Sequence, residues 1–297
     1  MDRVETTAPV TPAALALIAA GALLYWFAEA QVSAFSMGGI GLIQVANRLA
    51  KKLPGPAAKA VHWLRALAIE PFALAAVFLL KPLQFVPAYQ KPAGRFKGRP
   101  VLLVHGYLNS GAVWFFHRMR PKAMGFGPVY TIHLGHPFQS IRTYAEKVQR
   151  RAEQIAEEAG RKDLVLVGHS MGGLVSSYYA AILAPEGTVT DVVTIGSPLG
   201  GTPMARIGLG PNAREMEPGS ELSKEVWAAI EKSRGVRFFH IAARPDLLVM
   251  PPSAALPGKD PSRHFVLDDL GHVGLLFSNR VSQLIGNWIG NRFTNPI

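Results

Sequence analysis

The residues with the clearest capacity for chemistry lie on a glycine-rich corner in the stretch LVGHSMGGL, where Gly168, Ser170 and Gly172 form a G-x-S-x-G pattern. The apolar residues before the corner predict a strand, and the residues after it predict a helix. In a strand-turn-helix setting, the serine hydroxyl projects above the sheet, and the glycines remove side chains that would collide where helix and strand approach. The pattern therefore predicts a nucleophilic serine rather than an incidental turn residue.

A serine hydroxyl is a weak nucleophile unless a base accepts its proton and an acid orients that base. In this setting an acid and then a histidine follow the serine along the chain. His272, in LDDLGHVGLL, follows the last predicted strand in a loop that leads to the final helix, and we assign it as the base. His240 lies inside a predicted strand and His264 opens another, so we predict structural roles for both.

The acid is predicted by its position after a strand. Asp246, in AARPDLLVMP, directly follows the fifth predicted strand. Asp268 and Asp269 end the last strand just before the histidine and are the main rivals, whereas Asp191 is predicted to precede its strand. We predict that Asp246 fixes the tautomer of the histidine and stabilises its protonated form.

Two backbone N–H groups are placed to hold a developing oxyanion. Met171 directly follows the serine and opens the predicted helix, where the dipole favours negative charge. An HG-type turn follows an earlier strand in LLVHGYLNSG, and such turns supply a second donor. We predict the N–H of Tyr107 as that donor, with Leu108 as the alternative, and with His105 and Gly106 shaping the turn.

The elements that must position these residues are short apolar strands that alternate with helices from residue 100 onward. The strands are predicted in PVLLVHG, PVYTIHL, DLVLVG, VTDVVTIGS, VRFFHIAA and RHFVLD. Continuous apolar strands separated by helices predict an α/β fold, a mostly parallel sheet of about six strands with helices on both faces. Ligand sites in such sheets lie at the carboxyl ends of the strands, where the serine, the acid and the histidine are all expected.

With these residues assembled, the chain resembles bacterial lipases and esterases of the α/β-hydrolase superfamily. The stretches LVHGYLNS, LVGHSMGGL, TIGSPLGGT, ARPDLLVMPPSAALPG and LGHVGLL occur in that family's order over about residues 98–280. The resemblance implies that Ser170, Asp246 and His272 form a catalytic triad, with the same two oxyanion donors. It is closest in extent to compact lipases that lack the first two strands of larger relatives.

The chain departs from the family pattern in places. Leu199 stands in TIGSPLGGT where the family usually has a histidine, the calcium site of some secreted members is not evident, and we predict neither a metal nor a cofactor. The insertion at residues 199–235 sits where caps and lids occur in this family. Its apolar side chains either line an acyl site or pack a small subdomain, and both alternatives stay open. These side chains are Met204, Ile207, Leu209, Met216, Leu222, Val226 and Trp227.

Composition narrows the classes of function. The chain has 297 residues, of which 49% are hydrophobic, and this is too polar for a protein with many membrane spans. The net charge is +11, and its lysines and arginines are scattered along the chain without a recognised nucleic-acid-binding motif. We therefore expect an anionic membrane surface as the partner of the basic residues, and not nucleic acid. The absence of cysteine excludes disulfides, thiolate metal sites and a cysteine nucleophile.

Two apolar runs precede the predicted sheet. Residues 11–28, TPAALALIAAGALLYWFA, carry no charge and are long enough to cross a hydrocarbon core of about 30 Å as a helix. We predict a membrane anchor there, with a signal peptide or a buried helix as alternatives. The second run, residues 66–80, contains Glu70 and Pro71, and is predicted as the return limb of a membrane hairpin, an interfacial helix or a buried helix.

We predict two regions in the chain. Residues 1–95 form a hydrophobic, helical, membrane-anchoring region that ends in a linker, and residues 96–297 form the catalytic domain with the cap-like insertion. We expect membrane association, at a bacterial inner membrane. The basic residues between the two runs favour the cytoplasmic side of the membrane. They would place the catalytic domain outside the cytoplasm if both runs span, and inside it if only the first run spans. The side of the membrane therefore stays open, as does the oligomeric state.

The combined prediction is a membrane-associated serine hydrolase that cleaves carboxylic esters of lipidic or other apolar acyl chains through an acyl-enzyme on Ser170. Acyl transfer to an alcohol or thiol, thioesterase activity and polyester depolymerase activity use the same residues and stay open. The alternative from another class is a non-catalytic membrane-binding module, and the serine, aspartate and histidine at their expected places argue against it.

Overall fold

The computed structural model describes residues 55–86, 91–93, 98–119 and 127–290. The chain divides into two compact units, Met1–Val61 and His62–Ile297. The predicted anchor at residues 11–28 lies outside the described residues. The second unit contains the sheet and all the predicted site residues, and the division at residue 96 stays a prediction.

Within the described residues six strands form one sheet, and each overlaps a stretch predicted as a strand. Their bounds are β1 Val101–Val104, β2 Val129–Thr131, β3 Leu164–His169, β4 Val189–Ile195, β5 Arg237–Ala243 and β6 His264–Leu267. Their order across the sheet is β2-β1-β3-β4-β5-β6, and every neighbouring pair is parallel. The predicted α/β fold class with six strands is confirmed.

Helices and short 3-10 segments connect the strands. The α-helices are α1 Gly55–Leu80, α2 Phe115–Arg118, α3 Ile141–Ala159, α4 Met171–Tyr178, α5 Pro211–Glu215, α6 Glu221–Lys232 and α7 Asn279–Ile289. The 3-10 segments are Lys81–Phe85, Gly111–Trp114, Pro203–Ile207, Pro252–Ala255, Pro261–Arg263 and Gly274–Phe277, and a π-helical turn covers Tyr179–Leu183. The HG turn is followed by a 3-10 segment and a single α-helical turn.

Each face of the sheet carries a hydrophobic core. Leu102, Leu166 and Phe238 belong to the core that includes α3, α4 and α6, whereas Leu103 and Phe239 belong to the core that includes α1 and α7. Side chains alternate between the two faces along a strand, so a strand covered on both faces must be apolar throughout. This is the physical reason for the continuous apolar runs in the sequence.

Helix α1 contains the second apolar run and has two unlike faces. Ala66, Ala73 and Val77 are buried on one face. The other face exposes large apolar side chains: Leu64, Leu67, Phe72, Leu74, Phe78 and Leu79. The helical segment Gly55–Phe85 is long and apolar enough to cross a membrane, and 17% of its most apolar window is buried. Length and composition alone do not assign this helix to a membrane, so the three alternatives predicted for the second apolar run stay predictions.

Two local expectations change in the structure. Asp191, predicted to precede its strand, lies within β4, where it is buried and paired with two arginines. The linker predicted at the end of residues 1–95 is attached in part to the sheet edge, because Ala93 and Val129 exchange backbone hydrogen bonds of 2.9 and 3.1 Å.

Candidate active site

Ser170 stands at a sharp turn between β3 and α4. Its backbone has φ 56° and ψ −129°, a left-handed conformation that L-residues rarely adopt and that costs on the order of 1–3 kcal/mol. A Cβ on Gly168 would lie 2.4 Å from the carbonyl oxygen of Gly172, and a Cβ on Gly172 would lie 2.2 Å from that of Val104. The two glycines are therefore required because backbone meets backbone at this corner.

His272 and Asp246 form a buried hydrogen-bonded pair. The Nδ1 atom of His272 lies 2.7 Å from Oδ2 of Asp246. The other carboxylate oxygen, Oδ1, accepts the backbone N–H groups of Leu248 and Val249, each at 2.8 Å. An ionised carboxylate only accepts hydrogen bonds, so Nδ1 carries a proton, and in the neutral ring Nε2 keeps a lone pair. This is the tautomer that a general base needs.

The environment of His272 favours its protonated form. Burial alone lowers the pKa of His272, but the charge and hydrogen bond of Asp246, followed by the charge of Glu70, outweigh burial and raise the pKa above its ordinary value. The imidazole is therefore poised to accept a proton during a reaction.

His169 joins the serine turn to the histidine loop. Its ring centroid lies 4.7 Å from that of His272, and its Nε2–H donates to the backbone carbonyl of His272 at 3.0 Å. Burial, followed by the nearby His272, holds the pKa of His169 well below its usual range, so this ring is neutral. Because His169 directly precedes Ser170, the contact places the His272 loop beside the serine.

Gly196, directly after β4, leaves room for the acid–histidine pair. Its φ is 54°, and a Cβ there would lie 3.3 Å from both Asp246 Oδ2 and His272 Nδ1. Sequence reasoning assigned no role to Gly196 or His169. For Gly196, the sequence offers one indication of a role, which is a glycine at the end of a central strand.

The HG turn is held by the ring of His105. Its Nε2 accepts the N–H of Leu134 at 3.2 Å, so its Nδ1 carries the proton and donates to the carbonyl of Gly106 at 2.9 Å. Burial, the largest influence, lowers the pKa of His105 to about 4 and keeps the ring neutral. Because the peptide unit is trans, its N–H, which belongs to Tyr107, points the opposite way from the Gly106 carbonyl.

The same turn abuts the serine. A Cβ on Gly106 would lie 2.9 Å from Cβ of Ser170. Leu108, the alternative donor, has φ 55° and an exposed side chain. Met171 follows the serine as the first residue of α4, with its side chain buried. Both predicted donor segments thus lie next to the serine.

The rival residues lie elsewhere. Asp268 pairs with Arg244 at 2.6 Å, and Asp269 pairs with Arg280 and also with an arginine of α1. His240 is a buried strand residue that shares a 2.8 Å hydrogen bond with a threonine, and burial lowers its pKa to about 3. Within the described ranges, no cluster of histidine, aspartate and glutamate could hold a metal ion.

The insertion at residues 199–235 divides into packed and exposed parts. Met216, Leu222 and Val226 are buried in the core beside the sheet, as the packing alternative expects. Ile207 and Leu209 are 78% and 65% exposed. The hydroxyl of Tyr107 fastens this segment to the HG turn, since it donates to the carbonyl of Leu209 at 2.9 Å and accepts the N–H of the same residue at 2.8 Å.

Comparison with protein families and curated proteins extends these observations. A model of the alpha/beta hydrolase family matches residues 101–283, which include all six strands and the predicted site. A triacylglycerol lipase of Burkholderia plantarii is 34% identical over 158 residues, 50% of this chain and 42% of that protein. A triacylglycerol lipase of Pseudarthrobacter phenanthrenivorans is 33% identical over 114 residues, 36% of this chain and 35% of that protein. The chain thus spans less than half the length of these curated relatives.

Solved structures share the fold at low sequence identity. Aspergillus fumigatus lipase B superposes with a TM-score of 0.56 at 16% identity, over 67% of this chain and 54% of that one. The mature form of Bacillus licheniformis lipase BlEst2 superposes with a TM-score of 0.54 at 16% identity, over 67% of this chain and 96% of that one.

Proposed function

This chain belongs to the alpha/beta hydrolase family, and from that premise we propose that it hydrolyses carboxylic esters through an acyl-enzyme on Ser170. The observation that carries the proposal is the 2.7 Å hydrogen bond between His272 Nδ1 and Asp246 Oδ2. The loop that carries His272 packs on His169, the residue directly before the serine. A base oriented by a buried acid beside a strained serine is the arrangement that nucleophilic catalysis requires.

In the proposed reaction, Ser170 Oγ attacks the ester carbonyl carbon while His272 Nε2 accepts the hydroxyl proton. The carbonyl oxygen becomes an oxyanion held by the N–H groups of Tyr107 and Met171. As the carbon–oxygen bond to the alcohol breaks, the imidazolium donates its proton to the leaving oxygen. Water then loses a proton to His272 and attacks the acyl carbon. As the bond between the acyl carbon and Ser170 Oγ breaks, the imidazolium returns its proton to Oγ, which releases the carboxylic acid and restores the serine.

We propose apolar acyl chains as the substrate class. Exposed apolar side chains lie in loops that follow the strands on the site's side of the sheet: Leu108, Ile207, Leu209, Leu247 and Leu248. An apolar chain that covers them removes apolar surface from water, which is worth about 25 cal/mol per Å². The names of the two curated relatives support the same class.

We further propose that the enzyme works on a membrane surface. The exposed face of α1 carries large apolar side chains, while Ala73 and Val77 pack in the core of the catalytic domain. A helix packed on the domain at its middle cannot cross the hydrocarbon core without drawing the domain's polar loops into it. An interfacial position, with the exposed face in lipid, is consistent with this packing and with the net charge of +11.

The test uses the full-length chain in detergent micelles with p-nitrophenyl butyrate. Ser170→Ala should lower kcat by more than about 10³-fold, while Ser233→Ala, at the end of α6, should leave kcat unchanged. Full activity in Ser170→Ala would refute the serine mechanism. Acyl product found on an added alcohol or thiol but never on water would identify an acyltransferase instead.

A further inference from the structure

The loop that carries His272 is held from a second direction by a carboxylate of helix α1. Glu70 Oε2 accepts the backbone N–H of Val273 at 3.0 Å, and its Oε1 accepts the N–H of Gly274 at 2.8 Å. These donors stand at the start of a 3-10 segment, where backbone N–H groups have no partner within the segment. A side chain 203 positions from Val273 therefore anchors the chain directly after the histidine.

The loop and the helix fit each other closely at this contact. A Cβ on Gly271 would lie 2.4 Å from Glu70 Oε1, and a Cβ on Gly274 would lie 3.2 Å from the same oxygen. Ala66 and Ala73, about one helical turn on either side of Glu70, are buried, and their small side chains let the helix approach. The two glycines of the stretch LGHVG thus have a steric role, because they leave space for the carboxylate.

Glu70 also adds charge near the imidazole. Asp246 is hydrogen-bonded to Nδ1 of His272, and the neutral ring of His169 faces the imidazole. The carboxylate of Glu70 contacts the backbone directly after the histidine. Burial lowers the pKa of His272, and the charges of Asp246 and then Glu70 raise it. Removal of the Glu70 charge should therefore make the imidazole easier to deprotonate.

We propose that Glu70 is a positioning residue for His272: by holding the two amides after the histidine, it keeps the imidazole between Asp246 and Ser170. The inference rests on the proposed ester hydrolysis. Since the carboxylate reaches the loop only when α1 is packed on the domain, it also makes catalysis depend on the docking of this apolar helix.

A second link joins the same helix to the same loop. Arg65 Nη1 lies 3.4 Å from Asp269 Oδ2, three residues before the histidine. Asp269 also pairs with Arg280, whereas Glu70 holds the two backbone amides that directly follow the histidine, and so Glu70 is the residue that the inference concerns.

The test compares Glu70→Ala and Glu70→Gln with Glu158→Gln. The control removes the charge of a surface glutamate on α3 that pairs with Arg151 at 2.9 Å. Hydrolysis of p-nitrophenyl butyrate by the full chain in detergent micelles gives kcat, KM and the pH dependence of kcat/KM. Stoichiometric labelling with a fluorophosphonate corrects each kcat for the fraction of intact sites.

Glu70→Ala should lower the corrected kcat by roughly 10- to 100-fold and change KM by less than about two-fold, because a displacement of about 1 Å at a reacting group costs that much. Glu70→Gln keeps an acceptor but no charge, so it should retain more activity than Glu70→Ala and shift the acid limb of kcat/KM to lower pH. Glu158→Gln should match the wild type in the corrected kcat and in the acid limb of kcat/KM.

An unchanged corrected kcat and an unchanged acid limb in both Glu70 variants would overturn the inference, even if they melt at a lower temperature, because Glu70 would then only stabilise the fold. A wild-type chain that does not hydrolyse the ester would refute the proposed function itself, and this inference with it.

Discussion

His169 and His272 face each other at the carboxyl edge of the sheet, with ring centroids 4.7 Å apart and the Nε2–H of His169 donated to the backbone carbonyl of His272. One of these residues directly precedes Ser170, and the other is the proposed base. The contact therefore sets the distance between two loops that are far apart in sequence, and it does so with a neutral ring that does not compete for the proton.

His169→Phe keeps an aromatic ring but leaves that carbonyl without its donor. We expect kcat for a soluble ester to fall by about 10-fold, and the free energy of unfolding to fall by about 1–3 kcal/mol, the cost of an unsatisfied buried group. His264→Phe is the matched control, because its Nε2–H donates to the carbonyl of Pro257 at 2.8 Å, at the opposite end of β6. Chemical denaturation and steady-state kinetics should show lower stability in both variants but lower kcat only in His169→Phe. Equal kcat values in the two variants would contradict this role.

Much of the site follows from local sequence. A strand buried on both faces must be apolar, so the end of each strand can be located in the sequence. Only a few polar residues directly follow these strand ends, and they are the candidate site residues. Ser170, Asp246 and His272 come from that set, and the structure brings the last two within 2.7 Å. The buried stripe of α3 was equally visible, because its apolar residues recur with helical spacing.

The contacts that hold the site were not visible in the sequence. Glu70 lies in an apolar run whose local pattern resembles a membrane segment, and its partner loop is 203 positions away. Asp191 is buried in β4 only because arginines from distant segments pair with it. Such contacts depend on how elements pack, and hydrophobic periodicity carries no information about which loop an isolated charge will meet.

The protonation of His272 should set the acid limb of kcat/KM. Burial lowers its pKa, but the carboxylates of Asp246 and Glu70 raise it above its ordinary value of 6.5. Only the neutral imidazole accepts the serine proton, so activity should be full above the raised pKa and lost as pH falls through it. Asp246→Asn should move this limb to lower pH and reduce the plateau kcat by about 10⁴-fold.

Asp268→Asn is the control for this profile, since Asp268 pairs with Arg244 instead of the histidine. It should leave both the limb and the plateau unchanged. A limb that moves in Asp268→Asn but not in Asp246→Asn would show that the acid has been misassigned.

The glycine corner should tolerate no side chain. In Gly172→Ala the new Cβ would lie 2.2 Å from the carbonyl oxygen of Val104, so strand and helix must separate. We expect a loss of about 1–3 kcal/mol or more in the free energy of unfolding, measured by denaturant titration. Gly235→Ala, where no atom lies within 4 Å of the new Cβ, should cost little. Equal stabilities of the two variants would argue against the close approach.

The exposed face of α1 should govern binding to lipid. Leu74→Ser and Phe78→Ser each remove an exposed apolar side chain from this face. Burial of such a side chain is worth about 1.5–3 kcal/mol, so each change should weaken partitioning into anionic vesicles by about 10-fold or more. Met119→Ser, an equally exposed position outside the helix, should leave partitioning unchanged. Flotation of the full-length chain with vesicles measures this directly, and identical partitioning of all variants would place the lipid contact elsewhere.

The most direct test of the central claim is mass spectrometry of the full-length chain after reaction with a fluorophosphonate. The proposed mechanism predicts a single phosphonyl adduct on the peptide that contains Ser170, no adduct in a folded Ser170→Ala variant, and a parallel loss of ester hydrolysis. An adduct on another serine, or an unlabelled wild-type chain that still hydrolyses the ester, would contradict it.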